Sequence, residues 1–179
     1  MTIDPERLVF VDETGTSIDM IRTHARALKG ERVGGEVPRN RGRATTLIGA
    51  IALRGLVAAM TVEGGTTGAI FENYVKYELA PQLEPGDVVV WDNLAAHHVK
   101  AARAAIEEAG ALLIYTPPYS PEYNPIELCW SKVKKILRDL GARTAEDLGA
   151  AIQLALESVT PSDLQGWFAH CGYLPAQLK

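Results

Sequence analysis

PPYSPEYNPIELCW, residues 117–130, places four of the chain's ten prolines ahead of a run with helical spacing. Asn124-Pro125-Ile126-Glu127 reads as a helix start: an N-cap asparagine, a proline at the first helical position and an acid at the third. A capping box of this kind accounts for Glu127 without any chemistry. The helix it opens has two stripes, however. Ile126, Trp130, Val133 and Leu137 form an apolar one, while Glu127, Ser131, Lys134 and Arg138 form another, so the acid heads a basic face. A polyanion lying along Lys134 and Arg138 would bring a phosphate to Glu127, where only a metal ion reconciles the two negative charges.

Upstream of this block, LVFVDET (8–14) alternates like a strand, and ATTLIGAIAL (44–53) and LVAAMTV (56–62) read as two more, joined tightly at Arg54-Gly55. Ile70, Tyr74 and Tyr77 recur at helical spacing between Thr66 and Leu79. DVVVWD (87–92) and ALLIYT (111–116) read as short buried strands on either side of a helix over 97–109. Helical patterns then run over 125–140, 144–159 and 162–170. Three strands that can form a meander, followed by strands alternating with helices, predict an α/β domain with a mixed sheet covered by helices. The stretch from Thr16 to Arg43 is too long for a structureless loop and is expected to be functional or to carry a short element.

The chain has 179 residues, enough for one domain with a real core, and its 47% hydrophobic and 22% charged composition argues against disorder. The longest apolar stretch, TLIGAIALRGLVAAM (46–60), is too short to span a bilayer, and the acidic N-terminus does not read as a signal peptide. A cytoplasmic protein that does not enter a membrane is the expectation. Two cysteines, Cys129 and Cys171, suggest buried thiols in a reducing compartment rather than a disulfide framework or a zinc site. A net charge of −4 excludes nucleic-acid binding by bulk charge, but Lys29, Arg32, Arg39, Arg41 and Arg43 make a basic segment broken only by Glu31 and Glu36. Arg39, Arg41 and Arg43 alternate, so an extended backbone lines them up on one side for phosphate contact.

Period-two alternation puts Leu8, Phe10 and Asp12 on one face of the first strand, and Val88, Val90 and Asp92 on one face of the fourth. Each apolar line thus ends in a charge. A lone buried acid is costly unless it is paired or bound to a cation, and strand C-terminal ends in open α/β sheets are where ligands bind. Singly, each aspartate has a bland explanation as a strand-end turn residue. Together with Glu127 they make three carboxylates, the donor set that two-metal phosphoryl transfer uses.

At this point the chain resembles the DDE transposases, in particular bacterial insertion-sequence members of the mariner superfamily. The resemblance rests on Asp12 in VDET, Asp92 in WDNLAAHH and Glu127 in the proline block, with 34 residues between the last two. It extends through PRNRGRATTLIGAI (38–51) and GWFAHCGY (166–173). It implies a ribonuclease-H-like fold, a five-stranded mixed sheet flanked by helices, as a single catalytic domain over residues 1–179. Asp12, Asp92 and Glu127 would hold two Mg²⁺ ions, with Mn²⁺ substituting, and Asp12 would bridge them. The reaction would be cleavage at transposon inverted repeats and strand transfer into target DNA, typically at a TA dinucleotide, by a homodimer on DNA. Full-length members carry an N-terminal helix-turn-helix region. Here the first strand begins at Leu8, so a catalytic fragment, or one reading frame of a split element with a separate helix-turn-helix partner, is expected.

Asn93 is expected to position the loop or a water, and His97 to touch a DNA phosphate, with a histidine–metal contact the less favoured role for His97 or His98. Tyr119 and Tyr123 read as rigid packing of the proline loop, and Trp130 and Trp167 as core. Two other functions compete: a ribonuclease-H-like nuclease, and a catalytically inactive DNA-binding or regulatory transposase fragment.

Overall fold

The computed structural model describes residues 3–34, 39, 42–93, 99–117 and 120–174. Five strands, β1 (Leu8–Thr16), β2 (Thr45–Ala52), β3 (Gly55–Glu63), β4 (Val88–Trp91) and β5 (Leu112–Tyr115), form one sheet in the order β3-β2-β1-β4-β5. β3, β2 and β1 are antiparallel neighbours, whereas β1, β4 and β5 run parallel. The helices are α1 (Gly68–Asn73), which continues as a π-helical turn over Tyr74–Leu79, α2 (Lys100–Glu108), α3 (Ile126–Leu140), α4 (Ala145–Glu157) and α5 (Pro161–His170). This is the mixed, helix-flanked sheet that the ribonuclease-H-like resemblance implies.

The alternation in β1 and β4 decides which helices lie where. Leu8, Phe10, Val88 and Val90 share one core with Ile126, Trp130, Val133 and Leu137 of α3 and with α4 and α5. Val9, Val11, Val89 and Trp91 face the opposite side, where Phe71, Tyr74, Val75, Ala102 and Ile106 cover them. A strand buried on both faces needs a continuous apolar run, which both sequences supply.

Several local readings are corrected. Tyr77 is 72% exposed, and Phe71, Tyr74, Val75 and Leu79 make the buried stripe, because the wider π turn carries Tyr77 round to solvent. β5 is an edge strand: Leu112 is 64% exposed, so this strand is not fully buried. No helix or strand forms among the described residues between β1 and β2. Residues 21–34 are exposed, and the start of the segment is pinned to the end of α3. Arg143 Nη1 donates to the Ile18 and Met20 carbonyls at 2.9 and 3.1 Å, and Arg22 Nε pairs with Asp139 at 3.1 Å. Gly141, at φ +62°, ends α3 in the left-handed conformation that glycine adopts most easily and donates its N–H to the Leu137 carbonyl. Lys132 is tied to Asp163 at 2.5 Å and braces α3 against α5.

Both cysteines are free thiols. Among the described residues no helix is long and apolar enough to cross a membrane.

At the N-terminal ends of β1 and β4, the fully buried Asp87 accepts from Arg54 Nη1 and Nη2 at 3.2 and 2.6 Å and from the Glu84 N–H at 2.9 Å. This bidentate pair ties the β2–β3 turn to the start of β4. Removing one partner of such a pair leaves a buried charge uncompensated. Arg54→Ala, which leaves the fully buried Asp87 without its guanidinium, should therefore cost about 3 kcal/mol in urea unfolding, whereas Arg7→Ala should be near neutral because that side chain, 3.9 Å from Asp87, is 45% exposed.

Candidate active site

Asp12 and Asp92 lie at the opposite end of the same two strands. The parallel pairing of β1 with β4 stops at Phe10 and Val90, and each aspartate comes two residues later. β1 itself continues to Thr16, paired with β2, so Asp12 lies within its strand rather than at its end. Asp92 directly follows β4. Both continue the apolar lines that face α3.

Glu127 is exposed in the first turn of α3. The helix start differs in one respect from the capping box. Asn124 is extended, and its side-chain oxygen accepts weakly from the Ile126 N–H at 3.4 Å, while Pro125 already has helical dihedrals. The Asn124 N–H, however, donates to the Pro121 carbonyl at 2.9 Å. The reciprocal half of a capping box is thus taken by the proline loop, and the cap makes no use of the Glu127 carboxylate. The Tyr173 hydroxyl, donating to the Tyr123 carbonyl at 2.7 Å, holds the same loop from the C-terminal side.

Trp130, one turn beyond Glu127, is 2% exposed and donates its Nε1–H to Asp12 Oδ2 at 3.1 Å. Its ring lies over Gly49, the residue paired with Asp12 across β1 and β2. Neither Trp130 nor Gly49 stood out in the sequence beyond core and strand. The available signals were a glycine inside a strand, which marks close approach of another group, and a tryptophan one turn from a candidate acid.

The Asp12 carboxyl is raised from 3.8 to about 7, first by burial and then by the negative charges of Glu127 and Asp92. Hydrogen bonds from the Glu13 N–H and from Trp130 oppose this rise without cancelling it. The structure thus brings the three acids into one electrostatic group. It does not draw them to coordination distance: among the described residues no three His, Cys, Asp or Glu side chains stand close enough to hold a metal ion. The donor set still fits one. All donors are carboxylate oxygens, which suit Mg²⁺ and Mn²⁺, and the charge they share is what a divalent cation would neutralise.

Of the other residues named from sequence, Asn93 is exposed directly after Asp92, and Lys134 and Arg138 are half-buried along α3 beyond Glu127. Arg39 is exposed. Arg43 is 81% exposed and pairs with Glu63 at 3.3 Å, near the C-terminal end of β1, where Thr45 pairs with Thr16. Arg41, His97, His98 and Tyr119 lie outside the described residues.

A five-stranded mixed sheet of this order, flanked by helices, is the ribonuclease-H-like fold. The family model for DDE superfamily endonucleases matches residues 7–149, and the chain belongs to that family. Among solved structures it is similar to the "Mos1 transposase paired-end complex with left transposon end", with TM-score 0.70 and 17% identity over 94% of this chain and 56% of that one. It is also similar to the "Mos1 mariner paired end complex with Mn", with TM-score 0.70 and 16% identity over 94% of this chain and 52% of that one. The catalytic domain of Mos1 mariner transposase aligns with TM-score 0.61 and 13% identity, covering 93% of this chain and 83% of that one. The chain thus spans about half the length of the transposase chains in the DNA complexes. No curated protein matches it.

Asp12 also makes stability depend on pH. Its carboxyl titrates near 3.8 when unfolded and at about 7 in the fold, so between these values the native state holds the proton more tightly. The contribution is complete below the unfolded value and is lost as pH rises through about 7. Metal-free wild type should therefore lose on the order of 2–3 kcal/mol of stability between about pH 5 and pH 8 relative to Asp12→Asn, as measured by urea unfolding at each pH.

Proposed function

We propose that the chain is the catalytic domain of a transposase that cleaves DNA at transposon ends and transfers the freed strand into target DNA. The observation that supports this reading is that the negative charges of Glu127 and Asp92 both act to raise the carboxyl of the half-buried Asp12. A structural role gives no reason to set Glu127 and Asp92 in the field of Asp12, whereas binding divalent cations does.

In this reading Asp12, Asp92 and Glu127 would hold two Mg²⁺ ions, or Mn²⁺ in their place. When bound, such ions activate the attacking oxygen and stabilise the leaving one. The rest is the work of the chain. The Glu13 N–H and the Trp130 indole fix Asp12. Asn124, Pro125 and the loop held by Tyr173 set the first turn of α3, and with it Glu127. Lys134 and Arg138 continue the stripe from Glu127 and take backbone phosphates, which orient a duplex without reading its sequence. Contacts of Arg39, Arg41, Arg43, Asn93 and His97 with the same DNA belong to this proposal. No side chain is needed as a covalent nucleophile.

The substrates are the terminal inverted repeats and a target site, typically a TA dinucleotide, and holding two ends together calls for a homodimer on DNA. Recognition of the repeats falls to a helix-turn-helix region, carried elsewhere in a longer chain or on a separate polypeptide. The bacterial insertion-sequence origin and cytoplasmic location belong to the same proposal, as does the treatment of residues 1–179 as one catalytic domain.

The test is incubation with flanking inverted-repeat DNA, Mg²⁺ or Mn²⁺, and any partner polypeptide encoded beside the chain. Wild type should nick the DNA at the repeat ends. Asp92→Asn should reduce nicking by roughly a thousand-fold or more, since several kcal/mol of charge stabilisation depends on the bound ions. Binding without nicking by wild type would mark an inactive regulatory fragment. Cleavage of RNA–DNA hybrid in preference to the repeats would mark a ribonuclease H.

A further inference from the structure

Trp130 does more than fill the core. Phenylalanine or leucine would complete the apolar stripe of α3, as Val133 and Leu137 do, and would leave no polar atom to satisfy. An indole adds a donor on the edge of a large apolar ring, and a buried donor needs an acceptor. Here the acceptor is Asp12 Oδ2, at 3.1 Å.

Gly49 is the second half of the arrangement. It sits inside β2, opposite Asp12, and its φ is not in the left-handed region, so its conformational freedom goes unused. A glycine in mid-strand weakens the strand, and what it supplies in return is space. A Cβ at residue 49 would stand 2.7 Å from Cη2 and 3.4 Å from Cζ2 of Trp130, with the Ala58 carbonyl 3.6 Å away on another side. Cζ2 and Cη2 lie on the same edge of the indole as Nε1. The edge that needs the missing side chain is therefore the edge that reaches Asp12.

Trp130 and Glu127 are three residues apart on α3 and so lie close together on the helix surface. A slide or rotation of α3 that moved Glu127 would also break the bond to Asp12.

We infer that Trp130 is a positioning residue for cation binding: it fixes the Asp12 carboxylate and sets α3, with Glu127, against it, and Gly49 is the clearance that permits this. The inference rests on the reading of Asp12 as a cation ligand. A carboxylate held by a partner behind it presents a defined oxygen to a metal, and loss of such partners typically weakens metal binding by about 10–100-fold.

The test is a Mn²⁺ titration without DNA, read as the rise in melting temperature, on wild type, Trp130→Phe, Leu137→Ala and Asp12→Asn. Wild type should respond and Asp12→Asn should not. Trp130→Phe should need roughly ten-fold more Mn²⁺ or above for half the response. Leu137→Ala, a core loss on the same stripe, should melt lower with an unchanged midpoint. A Trp130→Phe midpoint equal to that of wild type overturns the inference alone. A wild type that ignores Mn²⁺, or an Asp12→Asn variant that responds fully, overturns the reading beneath it. Should Trp130→Phe not fold, the assigned indole N–H resonance of Trp130 in the wild-type chain decides. It should shift on adding Mg²⁺ and stay still in Asp12→Asn. A stationary resonance in a wild type that binds Mg²⁺ overturns the inference.

Discussion

A carboxylate is held half-buried on the central strand of the sheet, in the field of two others. Asp12 continues the line of Leu8 and Phe10, whose side chains are fully or almost fully buried, and the negative charges of Glu127 and Asp92 both bear on it. Like charges held together in a poorly solvated place raise the energy of the fold unless hydrogen bonds, protons or cations offset them. The surroundings of Asp12 address this constraint. Trp130 donates to it, the Glu13 N–H donates to it, and Gly49 gives up a side chain so that the indole can approach.

The two ends of β1 and β4 treat charge in opposite ways. At their start, Asp87 meets the two-pronged Arg54 guanidinium, and that end is closed and structural. At the other end, Asp92 and Glu127 add negative charge around Asp12 instead of neutralising it. Helix α3, which carries Glu127, is in turn fixed at several points: Lys132 to Asp163 on α5, Tyr173 to the proline loop at its start, and Arg22 to Asp139 near its end. With Phe10, Phe168 and Tyr173 in mutual ring contact beneath it, the C-terminal segment behaves as a brace for that helix rather than as a separate unit. Arrangements of this kind, rigid around neighbouring like charges, suit a site that binds cations.

Much of this was legible in the residues. Alternation in LVFVDET and DVVVWD put Leu8, Phe10, Val88 and Val90 on the face where they pack against α3, because strand periodicity translates directly into facing. The helix beginning at Asn124-Pro125 was legible because proline and asparagine act locally. What was not legible depended on tertiary neighbours. Asp87 was read only as the start of DVVVWD, and its partner Arg54 lies 33 residues earlier in the chain. Glu127 read as half of a capping box, but the Asn124 N–H had another acceptor in Pro121, which only the folded loop reveals. Trp130 read as core because its apolar spacing is correct. Its hydrogen bond to Asp12 spans 118 residues, and no local pattern encodes it. The exposure of Leu112 on β5 followed from strand order, which periodicity alone does not determine.

The central claim is that Glu127 and Asp92 act on Asp12 as parts of one site. It is tested most directly by titrating the Asp12 carboxyl carbon by NMR in metal-free protein, with wild type, Glu127→Gln and Asp92→Asn compared. The account predicts a midpoint of about 7 in wild type and a lower one in each variant, because each substitution removes a like charge. A midpoint in the ordinary aspartate range, about 4, or one that neither substitution moves, would contradict it.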